Sequence, residues 1–305
     1  MINFYKRIVN YNKYCDSIPK FKTESSKVLL CTICDDNFFP GTIVMLYSMK
    51  KHLKNFNNYK IRIFTDNCIS LLSSENRMML NKLFSNIEII DVTNEVYRNA
   101  KVEIQEHRLA YLTMEIFNQN DYDYILFFDG DMLTIKDFSD AFNFSFPIFG
   151  SRVGKFRLKN GPSFFWKYIN TGFFGISKKF LPENLYSIFM DIIINRDDKR
   201  LQLLDQKIIN NYFNVNHYPY LVLNHYYNFR NFGAGDNGSE DFLKKHLSNI
   251  KIIHYSGYKV RPKPWEFDSI KEHKLEEHLA YKIWAETAKE ITNEIPELKK
   301  YLLNN

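Results

Sequence analysis

The 305-residue chain has no run of about 18 apolar residues, so no transmembrane helix is expected. Its opening Met-Ile-Asn-Phe-Tyr-Lys-Arg lacks the apolar core of a secretory signal. The expectation is a cytoplasmic protein. Cysteine is scarce: Cys15, Cys31, Cys34 and Cys68 are scattered. They make no disulfide framework for a chain this long. Cys31 and Cys34 form a C-x-x-C, but inside an apolar strand-like run, and no second pair completes a zinc site. They read as core packing. Lys and Arg exceed Asp and Glu by 41 to 35, a formal charge of +6, yet no stripe concentrates that charge. Nucleic-acid binding is therefore not expected. A mild attraction for anionic substrates such as nucleotides is. Internal repeats and a clear linker are also missing, which favours one domain.

One apparent motif fails on context. Gly233 to Gly238 spells G-x-G-x-x-G. No buried strand precedes it, and no acidic residue stands about twenty positions on to take a ribose. The segment reads as a loop, with Ser239 capping a helix over Glu240–Leu247.

What is present is a strand and helix alternation. Lys27–Ile33, Tyr59–Thr65, Ile87–Ile90 and Tyr124–Phe128 are short apolar runs that read as buried strands. Between them, Pro40-Gly41 opens a helix to His52 with Ile43, Val44, Leu46, Tyr47 and Met49 on its buried face. Ser73 and Ser74 can cap a helix to about Phe84, and another helix spans Arg108–Phe117. The pattern predicts a largely parallel sheet with helices on both faces. The second half is less regular. Gly150–Lys167 reads as a long loop, Tyr168–Ile176 and Lys251–His254 as short strands, and Pro182–Asn195 and Asp205–Phe213 as helices. The tail from about Asp268 reads as helical, with Leu275, Leu279 and Ile283 at four-residue spacing.

The chemistry centres on Asp129-Gly130-Asp131, at the end of the run Tyr124–Phe128. Ligands of open α/β sheets collect at the carboxyl ends of strands. Two carboxylates there repel and raise each other's pKa, and a divalent cation such as Mg²⁺ or Mn²⁺ relieves that. The plain alternative is an Asp-Gly turn. Cys34-Asp35-Asp36-Asn37-Phe38 ends the first strand, where acidic, amide and aromatic groups can hold a ribose and base, or simply turn the chain. Asn170-Thr-Gly172-Phe-Phe-Gly175 offers glycines that let substrate approach the backbone, or a bulged strand. Asp205-Gln206 opens a helix, where capping alone explains the Asp. His254 follows a short strand and precedes Gly257 and Lys263-Pro264-Trp265. A neutral imidazole suits Mn²⁺ beside two carboxylates, and Lys with backbone amides suits a diphosphate.

In this order the five segments resemble glycosyltransferase family 8, the retaining enzymes that include glycogenin and bacterial lipooligosaccharide galactosyltransferases. The resemblance covers roughly Lys27 to Trp265. It implies a GT-A fold, a single Rossmann-like, mostly parallel sheet flanked by helices. The polar, irregular residues 1–26 read as an N-terminal leader, ahead of a catalytic domain over 27–267 and a helical C-terminal extension over 268–305. The activity implied is Mn²⁺-dependent transfer of a hexose from UDP-glucose or UDP-galactose to a glycan or protein acceptor, with a homodimer as an allowed assembly. Asp129, Asp131 and His254 take the place of metal ligands. Cys34, Asp35, Asn37 and Phe38 match the uridine-binding segment, and Gly130 lies within the metal motif. Arg108 matches a basic residue near the donor phosphates and sugar. Asn170, Asp205 and Gln206 match residues around the transferred sugar, and Gly257 and Lys263 match diphosphate contacts. Five residues separate Gly257 from Lys263 where the family usually has two. Lys263 then reaches the phosphates through a bulged loop, or Lys259 or Arg261 replaces it. Two rival functions are a catalytically idle nucleotide-sugar-binding protein of the same fold and a metal-dependent phosphohydrolase or nuclease. The latter needs more carboxylates around two metals.

Overall fold

The structure is a computed structural model, and it describes residues 27–143, 146–152, 161–163, 169–195, 204–218, 220–230, 240–256 and 262–303. The first half alternates as expected: β1 (Val28–Ile33), α1 (Phe39–His52), β2 (Lys60–Thr65), α2 (Ser74–Leu83), β3 (Ile87–Asp91), α3 (Glu95–Asn99), a 3₁₀ segment (Gln105–Asn118) and β4 (Tyr124–Phe128). Local chemistry sets the helix starts. Pro40 lies in the first turn of α1, where its missing N–H costs nothing. Ser73 caps α2 by accepting from the Asn76 N–H at 3.3 Å. β5 (Met132–Thr134), β6 (Ile148–Arg152), β7 (Gly161–Ser163), β8 (Ile169–Ser177), α4 (Leu185–Ile194), α5 (Leu204–Val215), β9 (Tyr220–Leu223) and β10 (Phe229–Arg230) follow. Then come α6 (Glu240–His246), β11 (Ile252–His254), α7 (Phe267–Glu272) and α8 (Leu279–Glu294).

Eight strands form one sheet in the order β3-β2-β1-β4-β8-β6-β9-β7. β3, β2, β1 and β4 pair in parallel. β8 runs antiparallel to both β4 and β6, β9 is parallel to β6, and β7 is antiparallel to β9. Alternate residues of β1 serve opposite faces. Val28 and Leu30 belong to the core that includes α1 and α8, whereas Leu29 and Cys31 belong to the one that includes α3, the 3₁₀ segment, α4 and α5. The 3₁₀ segment is buried at Tyr111, Leu112, Met114, Ile116 and Phe117, as expected of a helical piece clasped between a sheet and other helices. Strand order reverses between β1 and β4, which opens a crevice at their carboxyl ends.

A second sheet, β10-β11-β5, is small and decisive. β5 and β11 are antiparallel with His254 opposite Met132, and β10 is parallel to β11 with Arg230 opposite His254. Three distant segments thereby meet beside Asp131.

Several expectations change. The helix over Arg108–Phe117 is wound as 3₁₀ over Gln105–Asn118. Part of the expected loop over Gly150–Lys167 is strand, because β6 and β7 add to β8 and β9 through backbone bonds that need no apolar period. The helical tail breaks: Lys274 takes a left-handed φ of 54° and His278 caps α8 by accepting from the Ala280 N–H. Leu275 therefore lies in the connection, off the row of Leu279 and Ile283. Cys31 and Cys34 are buried free thiols, as expected. The Gly233–Gly238 segment lies outside the described residues. No helix among the described residues is long and apolar enough to cross a membrane.

Candidate metal centre

β4 delivers the first carboxylate. Its five residues are all buried, and the chain emerges at Asp129, whose N–H donates to the Gly172 carbonyl of β8 at 2.8 Å. Two residues on, the Asp131 carbonyl accepts from the Tyr255 N–H at 2.9 Å. That bond and the β5–β11 pairing bring the end of β11 against the pair. His254 Nε2 lies 3.5 Å from Asp129 Oδ2 and 3.1 Å from Asp131 Oδ1. One ligand atom from each residue falls within 4.8 Å of the others. Asp131 and His254 are 4% and 1% exposed, so water screens them little.

Charge shows in the protonation behaviour. Burial pushes the Asp131 carboxyl up, but the Lys263 ammonium and His254 outweigh it and hold it well below the usual carboxylate range. Burial pulls His254 down, and Asp131 and then Asp129 more than reverse it, so its pKa is raised. Lys263 donates to Asp131 Oδ2, and to the Tyr255 carbonyl at 3.2 Å. Asp131 Oδ1 is buried and has no hydrogen-bond donor among the described residues. A buried carboxylate oxygen without a donor, facing another carboxylate and an imidazole nitrogen, fits a cation. Two oxygens and one nitrogen suit Mn²⁺ or Mg²⁺ better than a thiophilic metal.

Glycine makes the room. A Cβ on Gly172 would sit 2.3 Å from His254 Cε1 and 2.6 Å from Asp129 Oδ2. One on Gly175 would sit 2.1 Å from the Phe149 ring. These glycines were expected to admit substrate; in the fold they make room for the ligand side chains and for a core ring. A Cβ on Gly130 would crowd the Thr42 hydroxyl at 2.9 Å.

Beside the pair lies a cleft of 170 Å³ lined by Ile33, Asp35, Phe38, His107, Leu109, Ala110, Phe127, Asp129 and Gly130. The expected uridine-binding residues divide. Asp35 and Phe38 face the cleft, Asn37 is exposed at the turn, and Cys34 is buried, its thiol pushed up to about 12 chiefly by burial. Asp35 also holds the turn, accepting from the Phe38 N–H at 2.8 Å and the Ser70 hydroxyl at 2.6 Å. Lys263 Nζ lies 5.6 Å from the Phe38 ring centre, and Trp265 meets that ring edge-on at 5.8 Å. Arg108 sits between the cleft residues His107 and Leu109, and its buried Nε has no partner among the described residues. His107, Leu109 and Ala110 escaped the sequence reading, although they flank the Arg108 it singled out. Gly257, Lys259 and Arg261 lie outside the described residues.

The expected sugar-side residues also come together. Asp205 lies in the first turn of α5. Burial first and the Asp129 charge second push its carboxyl up to about 6, against a hydrogen bond from Thr171. Gln206 Oε1 accepts from Asn170 Nδ2 at 3.1 Å and from the Thr171 N–H at 3.3 Å. Asn170 Oδ1 accepts from the Gly172 N–H at 3.2 Å and from Asn228 Nδ2 at 2.8 Å. Asn228 Oδ1 lies 2.9 Å from His254 Nδ1. Asn228 was not anticipated: one amide among aromatics carries no signal until β10 is placed.

Comparison with known proteins agrees with this architecture. Residues 29–269 match the model of glycosyl transferase family 8. The crystal structure of galactosyltransferase LgtC with donor and acceptor sugar analogs is similar, with 19% identity over 90% of this chain and 100% of that one, and a TM-score of 0.62. GlyE of Streptococcus pneumoniae TIGR4 has 17% identity over 92% of this chain and 65% of its own, TM-score 0.58. The bifunctional glycosyltransferase WbbM in its apo form has 17% identity over 84% and 50%, TM-score 0.57. At such identities the likeness shows the fold, which is the mixed α/β GT-A fold. No curated protein sequence matches the chain.

Proposed function

From the premise that this chain belongs to glycosyltransferase family 8, we propose that it is a retaining, Mn²⁺-dependent hexosyltransferase. The donor is UDP-glucose or UDP-galactose and the acceptor a glycan or protein. The observation that carries this reading is the convergence of Asp129, Asp131 and His254 within 4.8 Å. These three residues would hold the cation, which neutralises charge on the UDP leaving group when bound. Among the described residues this is the one such cluster. That supports one cation and disfavours a two-metal phosphohydrolase.

The chain's own groups do the rest. Phe38 offers a ring to the base and Asp35 an acceptor at the cleft wall. Arg108 and Lys263 add fixed positive potential near the diphosphate. Asp205, Gln206 and Asn170 lie on the sugar side. Retention requires attack on the face that UDP leaves. Gln206 Oε1 already accepts two N–H bonds, which fills both lone pairs of an amide oxygen. Of the two candidates Asp205 and Gln206, this favours Asp205 as nucleophile; the other route is the acceptor attacking the same face within an ion pair. The catalytic domain is assigned to 27–267. Its C-terminal extension is tied to α1 by Tyr47–Glu294 and Lys51–Glu290 hydrogen bonds of 2.7 and 2.6 Å.

A panel of UDP-sugars with Mn²⁺, scored for UDP release without acceptor, tests the proposal. Release from UDP-glucose or UDP-galactose is expected. No release from any donor, with or without the cation, would defeat it.

A further inference from the structure

We infer that Asn228, itself oriented by Asn170, keeps a proton on His254 Nδ1 and so turns the Nε2 lone pair toward the cation. The inference rests on the metal-dependent reading above and assigns two positioning residues to it.

Two backbone N–H groups, which can only donate, set the orientation of the amides. The Gly172 N–H points at Asn170 Oδ1, and the Thr171 N–H at Gln206 Oε1. Both side-chain amides are thus oriented with no freedom to flip. Asn170 must then direct its NH₂ at Gln206, as it does at 3.1 Å. Asn228 approaches Asn170 Oδ1 at 2.8 Å, and only its NH₂ can meet an acceptor there. Its oxygen is left facing His254 Nδ1 at 2.9 Å. An amide oxygen cannot donate, so Nδ1 carries the hydrogen.

The fold seals this chain of amides. Asn228 and His254 are 1% exposed and Gln206 5%, so water cannot substitute for a missing partner. Asn228 directly precedes β10, and the β10–β11 pairing of Phe229 with Ile253 and Arg230 with His254 sets it beside the ring. Asn170, expected at the sugar, spends its oxygen on Gly172 and Asn228 and one N–H on Gln206. A hydrogen-bonded Nδ1–H fixes the ring and raises the basicity of the ligating nitrogen.

Histidine ¹⁵N NMR and calorimetry with Mn²⁺ alone test the inference. In the metal-free and the Mg²⁺-loaded protein, Nδ1 of His254 should be protonated throughout, and finding it unprotonated in either form overturns the inference. Asn228→Ala should weaken Mn²⁺ binding by about 10–100-fold. Asn228→Asp keeps an acceptor for Nδ1–H but loses the donor to Asn170 Oδ1, so its affinity, like that of Asn170→Ala, should fall between those of the wild type and Asn228→Ala. Wild-type affinity in folded Asn228→Ala also overturns it. Should Asn228→Ala not fold, the wild-type spectrum and Asn228→Asp still decide. Should the wild type bind no Mn²⁺, the metal reading fails while the metal-free spectrum still judges the relay.

Discussion

Two buried carboxylates, Glu115 and Asp131, are treated in opposite ways. Glu115 lies in the 3₁₀ segment and is 7% exposed. Its Oε1 accepts from the Tyr97 and Tyr186 hydroxyls at 2.8 and 2.6 Å, and its Oε2 from Asn118 Nδ2 at 3.3 Å. Burial and then Glu115 itself raise the pKa of Tyr97, and burial with the Glu115 hydrogen bond raises Tyr186 to about 12. Both therefore stay neutral donors. Asp131 has Lys263 on one oxygen, while the other faces His254 and has no donor among the described residues. The protein completes Glu115 by itself; at Asp131 it assembles further ligands around an open oxygen. The first arrangement holds structure together, and the second binds.

The largest test of that contrast is substitution. Asp131→Asn should lower UDP-sugar turnover by about three orders of magnitude, as expected when several kcal/mol of charge stabilisation are lost, with the folded state preserved by circular dichroism. Glu115→Ala should do the reverse. Removing the acceptor that the Tyr97 and Tyr186 hydroxyls share costs about 1–3 kcal/mol of stability, read from urea midpoints, while turnover persists at a permissive temperature. Full activity in Asp131→Asn, or dead but fully stable Glu115→Ala, would erase the distinction.

Gly172→Ala comes next. It removes no ligand atom, yet its methyl would overlap His254 Cε1 and Asp129 Oδ2. Mn²⁺ affinity should fall about 10–100-fold, matching His254→Ala in calorimetry. Unchanged affinity would mean the site is looser than its packing indicates.

Asp205→Asn separates the sugar side from the cation. Transfer should fall roughly a hundredfold while Mn²⁺–UDP affinity holds, since UDP lacks the hexose. A simple cap would instead cost about 0.5–2 kcal/mol of stability and spare kcat. The smallest effect is with pH. The Asp205 carboxyl is raised from 3.8 to about 6, so the folded chain keeps a proton that the unfolded chain releases. That stabilisation is complete below the unfolded value and is lost as pH rises through 6. Wild-type stability relative to Asp205→Asn should fall between about pH 4 and pH 7. A difference independent of pH would contradict the effect of desolvation and of the Asp129 charge on Asp205.

The fold was legible where burial imposes a pattern. β1, β2, β3 and β4 are apolar runs, and Pro40 and Ser73 mark helix starts, so the parallel half and its crevice followed from sequence. Asp129 and Asp131 were visible because they interrupt such a run at its end. β6 and β7 were not, since short strands added by backbone pairing need no apolar period of their own. The break at Lys274 was hidden because Leu275, Leu279 and Ile283 keep a helical spacing across it. Cys34 and Asn37 share a segment with the cleft residues Asp35 and Phe38, but only the folded turn decides which of its side chains face the cleft. Asn228 illustrates the limit: its importance comes entirely from the register of β10 against β11.

The most direct measurement is a Mn²⁺ titration in the presence of UDP, followed by electron paramagnetic resonance of the free ion. The wild type and Glu115→Ala should each bind one ion per chain, and Asp131→Asn should bind none with comparable affinity. Equal binding by Asp131→Asn and the wild type would contradict the account.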